Sequence, residues 1–69
     1  MKFKVGDILV NKEFKEWNLK QIQSITRDVY YGYTVTFIDR YIEEPLYLSQ
    51  EYTEKEYELA PKAIQVIYG

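Results

Sequence analysis

Residues 30–39, YYGYTVTFID, restrict the possible folds more than any other part of the chain. Tyr31, Tyr33, Val35 and Phe37 fall on one side of an extended backbone, and Tyr30, Gly32, Thr34, Thr36 and Ile38 fall on the other. Aromatic and β-branched side chains crowd the preceding turn of a helix but fit a pleated surface, so this run reads as a strand. A strand apolar enough to be central needs hydrogen-bonded neighbours on both sides, and the rest of the chain has to supply them.

The opening stretch, KFKVGDILVNK at 2–12, offers the first. Phe3 and Val5 alternate with Lys2 and Lys4 as in a half-buried strand, the pattern breaks at Gly6-Asp7, and Ile8 and Val10 resume it. Glycine tolerates backbone angles closed to other residues, so Gly6-Asp7 reads as a turn or bulge. Residues 11–28 admit two readings. Phe14, Trp17, Ile22 and Ile25 lie on one face of a helix capped by Asn11, and equally Trp17–Leu19 with Ile22 and Ile25 form a bulged strand after a loop. Ser24, Ile25 and Thr26 favour the strand.

After a turn at Glu43-Glu44-Pro45, Leu46 and Leu48 point one way and Tyr47 the other. Thr53 followed by Glu56 is a capping-box pattern that predicts one helical turn. Tyr57-Glu58-Leu59 returns to strand, Pro61 interrupts, and Ile64, Val66 and Tyr68 alternate with Ala63, Gln65 and Ile67 as a closing strand. Short strands at roughly ten-residue intervals with one helical turn before the penultimate strand indicate a small barrel.

Four segments carry a family likeness: KVGDILVN at 4–11, KQIQSI at 20–25, YGYTVTFID at 31–39 and YTEKEYEL at 52–59. Together they resemble the small SH3-like barrels of bacterial and phage proteins, in which a VGD strand start leads into the first barrel strand. The likeness covers most of the chain and implies a mostly β fold, a small SH3-like barrel of about five strands with one short helical turn, as a single domain over 1–69. Residues 12–18, KEFKEWN, depart from the pattern by lacking a glycine before the second strand. The tail after Pro61 is apolar enough to be an extra strand. Either departure would suit a different small α+β fold.

Composition narrows the chemistry. A chain of 69 residues buries only about 60% of the surface its unfolded form exposes, so the core has to be compact and aromatic. No cysteine is present, which excludes disulfides and thiolate metal sites and points to a reducing cytoplasm. An acidic residue precedes any apolar run long enough for a signal peptide, and no run approaches the roughly 18 apolar residues of a membrane span. The abundance of Lys, Glu, Ile and Tyr suits an AT-rich bacterial or phage genome. With no histidine there is no imidazole base for a serine nucleophile, and no phosphate-cradling glycine loop or calcium loop occurs. Glu43-Glu44 beside Pro45 reads as a solvated turn rather than a paired acid site. These features predict a non-enzyme without catalytic, cofactor-binding or metal-binding residues.

Charge and tyrosine remain. Residues 1–40 carry a net +2 and residues 41–69 a net −4, the acidic part running from Glu43 to Glu58. The total of −2 argues against the basic footprint of phosphate-backbone binding. Eight tyrosines exceed what such a core can bury, because each buried hydroxyl needs a partner. Strand parity sends Tyr33 inward with Val35 and Phe37, sends Tyr30 and Tyr47 outward, and leaves Tyr41 and Tyr52 in turns. Outward tyrosines are either ordinary cross-strand packing or an interaction face, since tyrosine is enriched at interfaces. The functional expectation is a monomeric protein-interaction module that docks on another protein through Tyr30, Tyr47, Tyr52, Glu54, Glu56 and Glu58, as phage-encoded modulators occupy host proteins. The alternative is a nucleic-acid-binding SH3-like module, with exposed aromatics stacking on bases and Lys2, Lys4, Lys12, Lys15 and Lys20 on phosphates.

Overall fold

The computed structural model describes residues 2–14, 19–26, 32–38 and 44–68. Five strands and two helices follow one another as β1 (Ile8–Asn11), β2 (Lys20–Ile25), β3 (Tyr33–Phe37), β4 (Leu46–Leu48), α1 (Gln50–Glu56), β5 (Tyr57–Leu59) and α2 (Lys62–Tyr68). The strands form one antiparallel sheet in the order β4-β3-β2-β1-β5. Successive strands pair as a meander, and β5 returns beside β1. Between β4 and β5 no pairing occurs among the described residues, so the sheet stays open there and is not a closed barrel.

The strand reading of 20–25 holds, bulge included. The β2–β3 register slips between Ile22 and Ser24, so Gln23 is the extra residue. That slip reverses the side-chain alternation. It is why Ile22 and Ile25, three positions apart, serve the same apolar cluster. In β3 the parity is as expected for Tyr33 and Val35, which are fully buried, whereas Phe37 is only half-buried at the end of the strand.

The interruption at Gly6 is a tight turn rather than a break in a long strand. The Asp7 amide donates to the Lys4 carbonyl at 3.0 Å, and the Lys4 amide donates to Asp7 Oδ2 at 2.9 Å. Gly6 sits at φ +93° with no atom within 4 Å of where a Cβ would stand. A side chain there would be penalised by the backbone angle alone. Gly32 is constrained differently, because its missing Cβ would lie 2.6 Å from the Gln50 backbone nitrogen. The residue before β3 and the start of α1 therefore approach more closely than any other residue at that position would permit.

Several expectations are corrected. Residues 2–5 lie outside β1: Phe3 is buried, but Val5 is 61% exposed. The chain turns back at Gly6 before the alternation can place Val5 in the core. Phe14, placed with Ile22 and Ile25 on one face in the helical reading, is 61% exposed, on an Asn11 turn in which Oδ1 accepts from the Glu13 and Phe14 amides. The first helix is capped by Ser49, whose Oγ accepts from the Tyr52 amide at 3.2 Å. Thr53 lies buried inside that helix, its hydroxyl donating to the Ser49 carbonyl at 2.7 Å. Seven residues of helix make two turns, not one. The closing strand over 62–68 is instead helix α2. Pro61 ends β5 and its carbonyl accepts from the Ile64 and Gln65 amides, which starts a helix despite the β-branched residues that follow. The helix places Ile64 against the sheet and Gln65 over β1. Trp17, Tyr30 and Tyr41 lie outside the described residues.

β1 is buried on both faces. Leu9 joins Phe3, Ile22, Tyr33, Val35 and Tyr57 in one cluster, while Ile8 and Val10 join Ala60 in a second, flanked by Leu19, Ile38 and Ile64. The run Ile8-Leu9-Val10 is thus apolar at consecutive positions because the strand is covered on both sides. Burial of side chains this large stabilises by about 1.5–3 kcal/mol each.

Candidate functional site

Helix α1 carries three of the six residues that the sequence marks for partner binding, Tyr52, Glu54 and Glu56, and it divides them between two sides. Tyr52 and Glu56 are one turn apart, as are Glu51 and Lys55. With Ser49 these four line a shallow depression of about 250 Å³ on the outer face of the helix. Tyr52 is 49% exposed. Its ring meets the buried ring of Tyr57 edge to face, with centroids 6.2 Å apart and planes at 68°. The Tyr52 hydroxyl is held above the ordinary phenol range, chiefly by the proximity of the Tyr57 hydroxyl, then by desolvation and by the Glu56 charge.

Glu54 belongs to the other side. Its Oε2 accepts from the Tyr33 hydroxyl at 2.6 Å and from the Lys2 amide at 3.2 Å. The Tyr33 oxygen in turn accepts from the Phe3 amide at 3.2 Å, and the Phe3 and Tyr33 rings pack with centroids 5.7 Å apart. Desolvation, reinforced by the bond to Glu54, pushes the Tyr33 hydroxyl up to about 12. The same bond holds the Glu54 carboxyl below its ordinary value, against an opposing desolvation. This carboxylate closes the core over the amino-terminal segment and is already occupied by its own chain.

Tyr47 and Glu58 stand apart from the depression. Tyr47 is on the edge strand β4, opposite Thr34 and 61% exposed. Glu58 is on the other edge, β5, opposite Val10. The outer face of α1 therefore unites Tyr52 and Glu56, leaves Tyr47 and Glu58 on separate strands, and turns Glu54 inward. Tyr30 falls outside the described residues.

Lys20 is corrected as well. Grouped at first with the phosphate-contacting lysines, it is buried, its ammonium 4.6 Å from the centroid of Phe37 and 4.7 Å from that of Tyr57. Cation–π attraction of this kind is worth up to about 2 kcal/mol once desolvated. Lys20 and Phe37 are cross-strand partners, so the register itself brings them together.

Two parts of this arrangement were missed in the sequence. Ser49, Glu51 and Lys55 line the depression but carry no signal beyond helical spacing from Tyr52, which could have been read once the helix start was fixed at Ser49. The Tyr33–Glu54 bond spans residues far apart in sequence, and a buried tyrosine announces only that some partner must exist. Among the described residues no group of three or more acidic, histidine or cysteine side chains is placed to hold a metal. No helix among them is long and apolar enough to cross a membrane. Comparison of the chain with protein-family models, with curated proteins and with solved structures finds no match.

Proposed function

We propose that the chain is a small non-catalytic, SH3-like protein-interaction module. It acts as a monomer in the cytoplasm, and in its natural setting, bacterial or phage, it occupies the surface of another protein. The observation that carries this reading is the outer face of α1, where a half-exposed tyrosine stands beside Glu51 and Glu56 on a rigid element. An aromatic anchor fixed by packing and ringed by charge is how interfaces concentrate affinity. Tyr47 on the β4 edge is a second, separate exposed aromatic residue. The meander with its last strand beside the first is the connectivity a small barrel needs, which supports the SH3-like assignment. The burial of Lys20 takes one cation away from the nucleic-acid alternative.

The test is capture of bacterial proteins on the bead-bound full chain, alongside a low-salt gel shift with mixed-sequence DNA and RNA. The expected result is a retained protein that is lost when Tyr47→Ala and Tyr52→Ala are combined in a chain that still folds, with no nucleic-acid retardation. Retardation that depends on Lys4 and Lys12 would overturn this function in favour of nucleic-acid binding.

A further inference from the structure

The depression on α1 has the dimensions and the chemistry for one side chain of a partner, and they select its type. Tyr52 presents about half of its surface, and its edge-to-face contact with buried Tyr57 holds the ring in place before anything binds. A fixed aromatic face is a stacking platform that loses little conformational freedom on binding. Two carboxylates, Glu51 and Glu56, against one ammonium, Lys55, make the surroundings of that ring net negative. A volume of about 250 Å³ admits a single extended side chain but not a folded segment. The ring against which Tyr52 packs, that of Tyr57, already carries a cation on its own account, the Lys20 ammonium.

We infer that the outer face of α1 is a receptor for one arginine side chain of a partner protein, its guanidinium stacked on Tyr52 and hydrogen-bonded to Glu56. The inference rests on the protein-docking reading and specifies the group that is docked. Arginine is favoured over lysine because a planar guanidinium stacks on a ring while its edge still donates two parallel hydrogen bonds to a carboxylate. An ammonium is a point charge that neither stacks as a plane nor makes the paired, parallel bonds to a carboxylate. Lys55 has a definite part. Four residues after Glu51, in the orientation in which such helix pairs attract, it offsets that carboxylate and opposes an incoming cation. It therefore tunes the site to be weak when the partner offers a single charge.

The test is a titration of the full chain with acetylated tetra-arginine amide at low ionic strength, followed by backbone amide shifts, with tetra-lysine and tetra-citrulline as comparisons. Citrulline keeps the planar shape and removes the charge. Saturable shifts at Glu51, Tyr52 and Glu56 are expected with the arginine peptide, weaker binding with lysine and none with citrulline. Tyr52→Ala should weaken arginine binding by roughly fivefold, the scale of an exposed cation–π contact. Tyr52→Phe should stay within about twofold, because the ring face is retained. Lys55→Gln should tighten it. Equal affinity for the arginine and lysine peptides, shifts that survive Tyr52→Ala, or no saturable shift would overturn the arginine site. Shifts centred on Tyr47 would overturn it too, yet leave protein docking intact. Failure of docking itself is read separately, from capture and gel shift.

Discussion

The two faces of β1 are both buried but are closed by different means. On Leu9's side the cover is the sheet's own strands, with Ile22, Tyr33, Val35 and Tyr57 converging on it and Phe3 folded across the end. On the side of Ile8 and Val10 the cover is thinner: Ala60, Leu19, Ile38 and one face of α2. That helix has no fully buried residue, and Val66 and Ile67 stand 74% and 70% exposed. What anchors it is polar. Gln65 Oε1 accepts from the Ile8 amide at 2.9 Å, and Nε2 donates to the carbonyls of Ile8 at 2.7 Å and Ala60 at 3.2 Å. One face is thus locked by interdigitated side chains and the other by a side-chain amide that acts as a surrogate strand neighbour. The first arrangement resists collapse when a side chain is removed, and the second can shift.

The largest effect should separate them. Leu9→Ala and Ile8→Ala each remove a fully buried side chain of the same size class. Loss of such a side chain costs about 2–5 kcal/mol, and the value depends on how far the surroundings relax into the cavity. Leu9→Ala should fall near the upper end and Ile8→Ala near the lower, because α2 can close over the gap. Denaturant unfolding midpoints measure both, and equal costs would break the contrast between the faces.

The difference also accounts for what could be read in the sequence. On Leu9's side the partners were legible, because Tyr33, Val35 and Ile22 obey period-two alternation and the bulge was allowed for at 20–25, but Leu9 itself was not, since the alternation runs through Ile8 and Val10. On the other side the burial of Ile8 and Val10 was legible, but the helix that covers them was not. Ile64, Val66 and Tyr68 alternate with Ala63, Gln65 and Ile67 as a strand would, and β-branched content made the strand more persuasive. What decides for helix is tertiary: the helix lets Gln65 satisfy Ile8 and Ala60 backbone groups, and local propensity yields to that. The capping residue was misplaced for a similar reason. Thr53 and Glu56 have capping-box spacing, but Ser49 directly follows β4, so the chain enters the helix a turn earlier. At the candidate site, Tyr47 was correctly read as facing outward. Tyr52, expected in a turn, is instead exposed on helix α1, because the helix starts a turn earlier than Thr53. Glu54 looked like one more surface carboxylate in an acidic run. Its capture by Tyr33 follows from the sheet's geometry and not from any neighbour in sequence.

A smaller effect sharpens the polar half of the comparison. Gln65→Ala removes three hydrogen bonds and leaves the Ile8 amide without its side-chain acceptor. The expected cost is about 1–2 kcal/mol, the scale of leaving a part-buried backbone group unsatisfied. Hydrogen exchange gives a local readout: the Ile8 amide should lose protection far more than Leu9 does. Unchanged exchange at Ile8 would mean that α2 is held by its apolar contacts instead.

The smallest effect tests whether the lock over the Leu9 face is electrostatic. Tyr33→Phe keeps the ring and removes the hydroxyl, at an expected net cost of about 1 kcal/mol at neutral pH. Its pH dependence is more diagnostic than its size. The hydroxyl of Tyr33 holds its proton up to about 12 in the folded protein, against 10.0 ordinarily. The unfolded chain therefore releases that proton first, so this contribution is complete below pH 10 and is lost as pH rises from 10 towards 12. Glu54 runs the opposite way. Its carboxyl lies below the ordinary 4.5 when folded, so its contribution is complete above that value and is lost as pH falls through the folded value. The groups acting on the pair are the amides of Lys2 and Phe3, the Gln50 side chain and the positively charged chain terminus. Melting temperatures of the wild type and Tyr33→Phe should consequently differ most between about pH 5 and 9 and converge towards both extremes. The deficit of Gln65→Ala, which involves no titrating group, should stay flat over the same range. A Tyr33→Phe deficit equally flat would show the hydroxyl to be a packing group, and both faces of β1 would then be closed without charge.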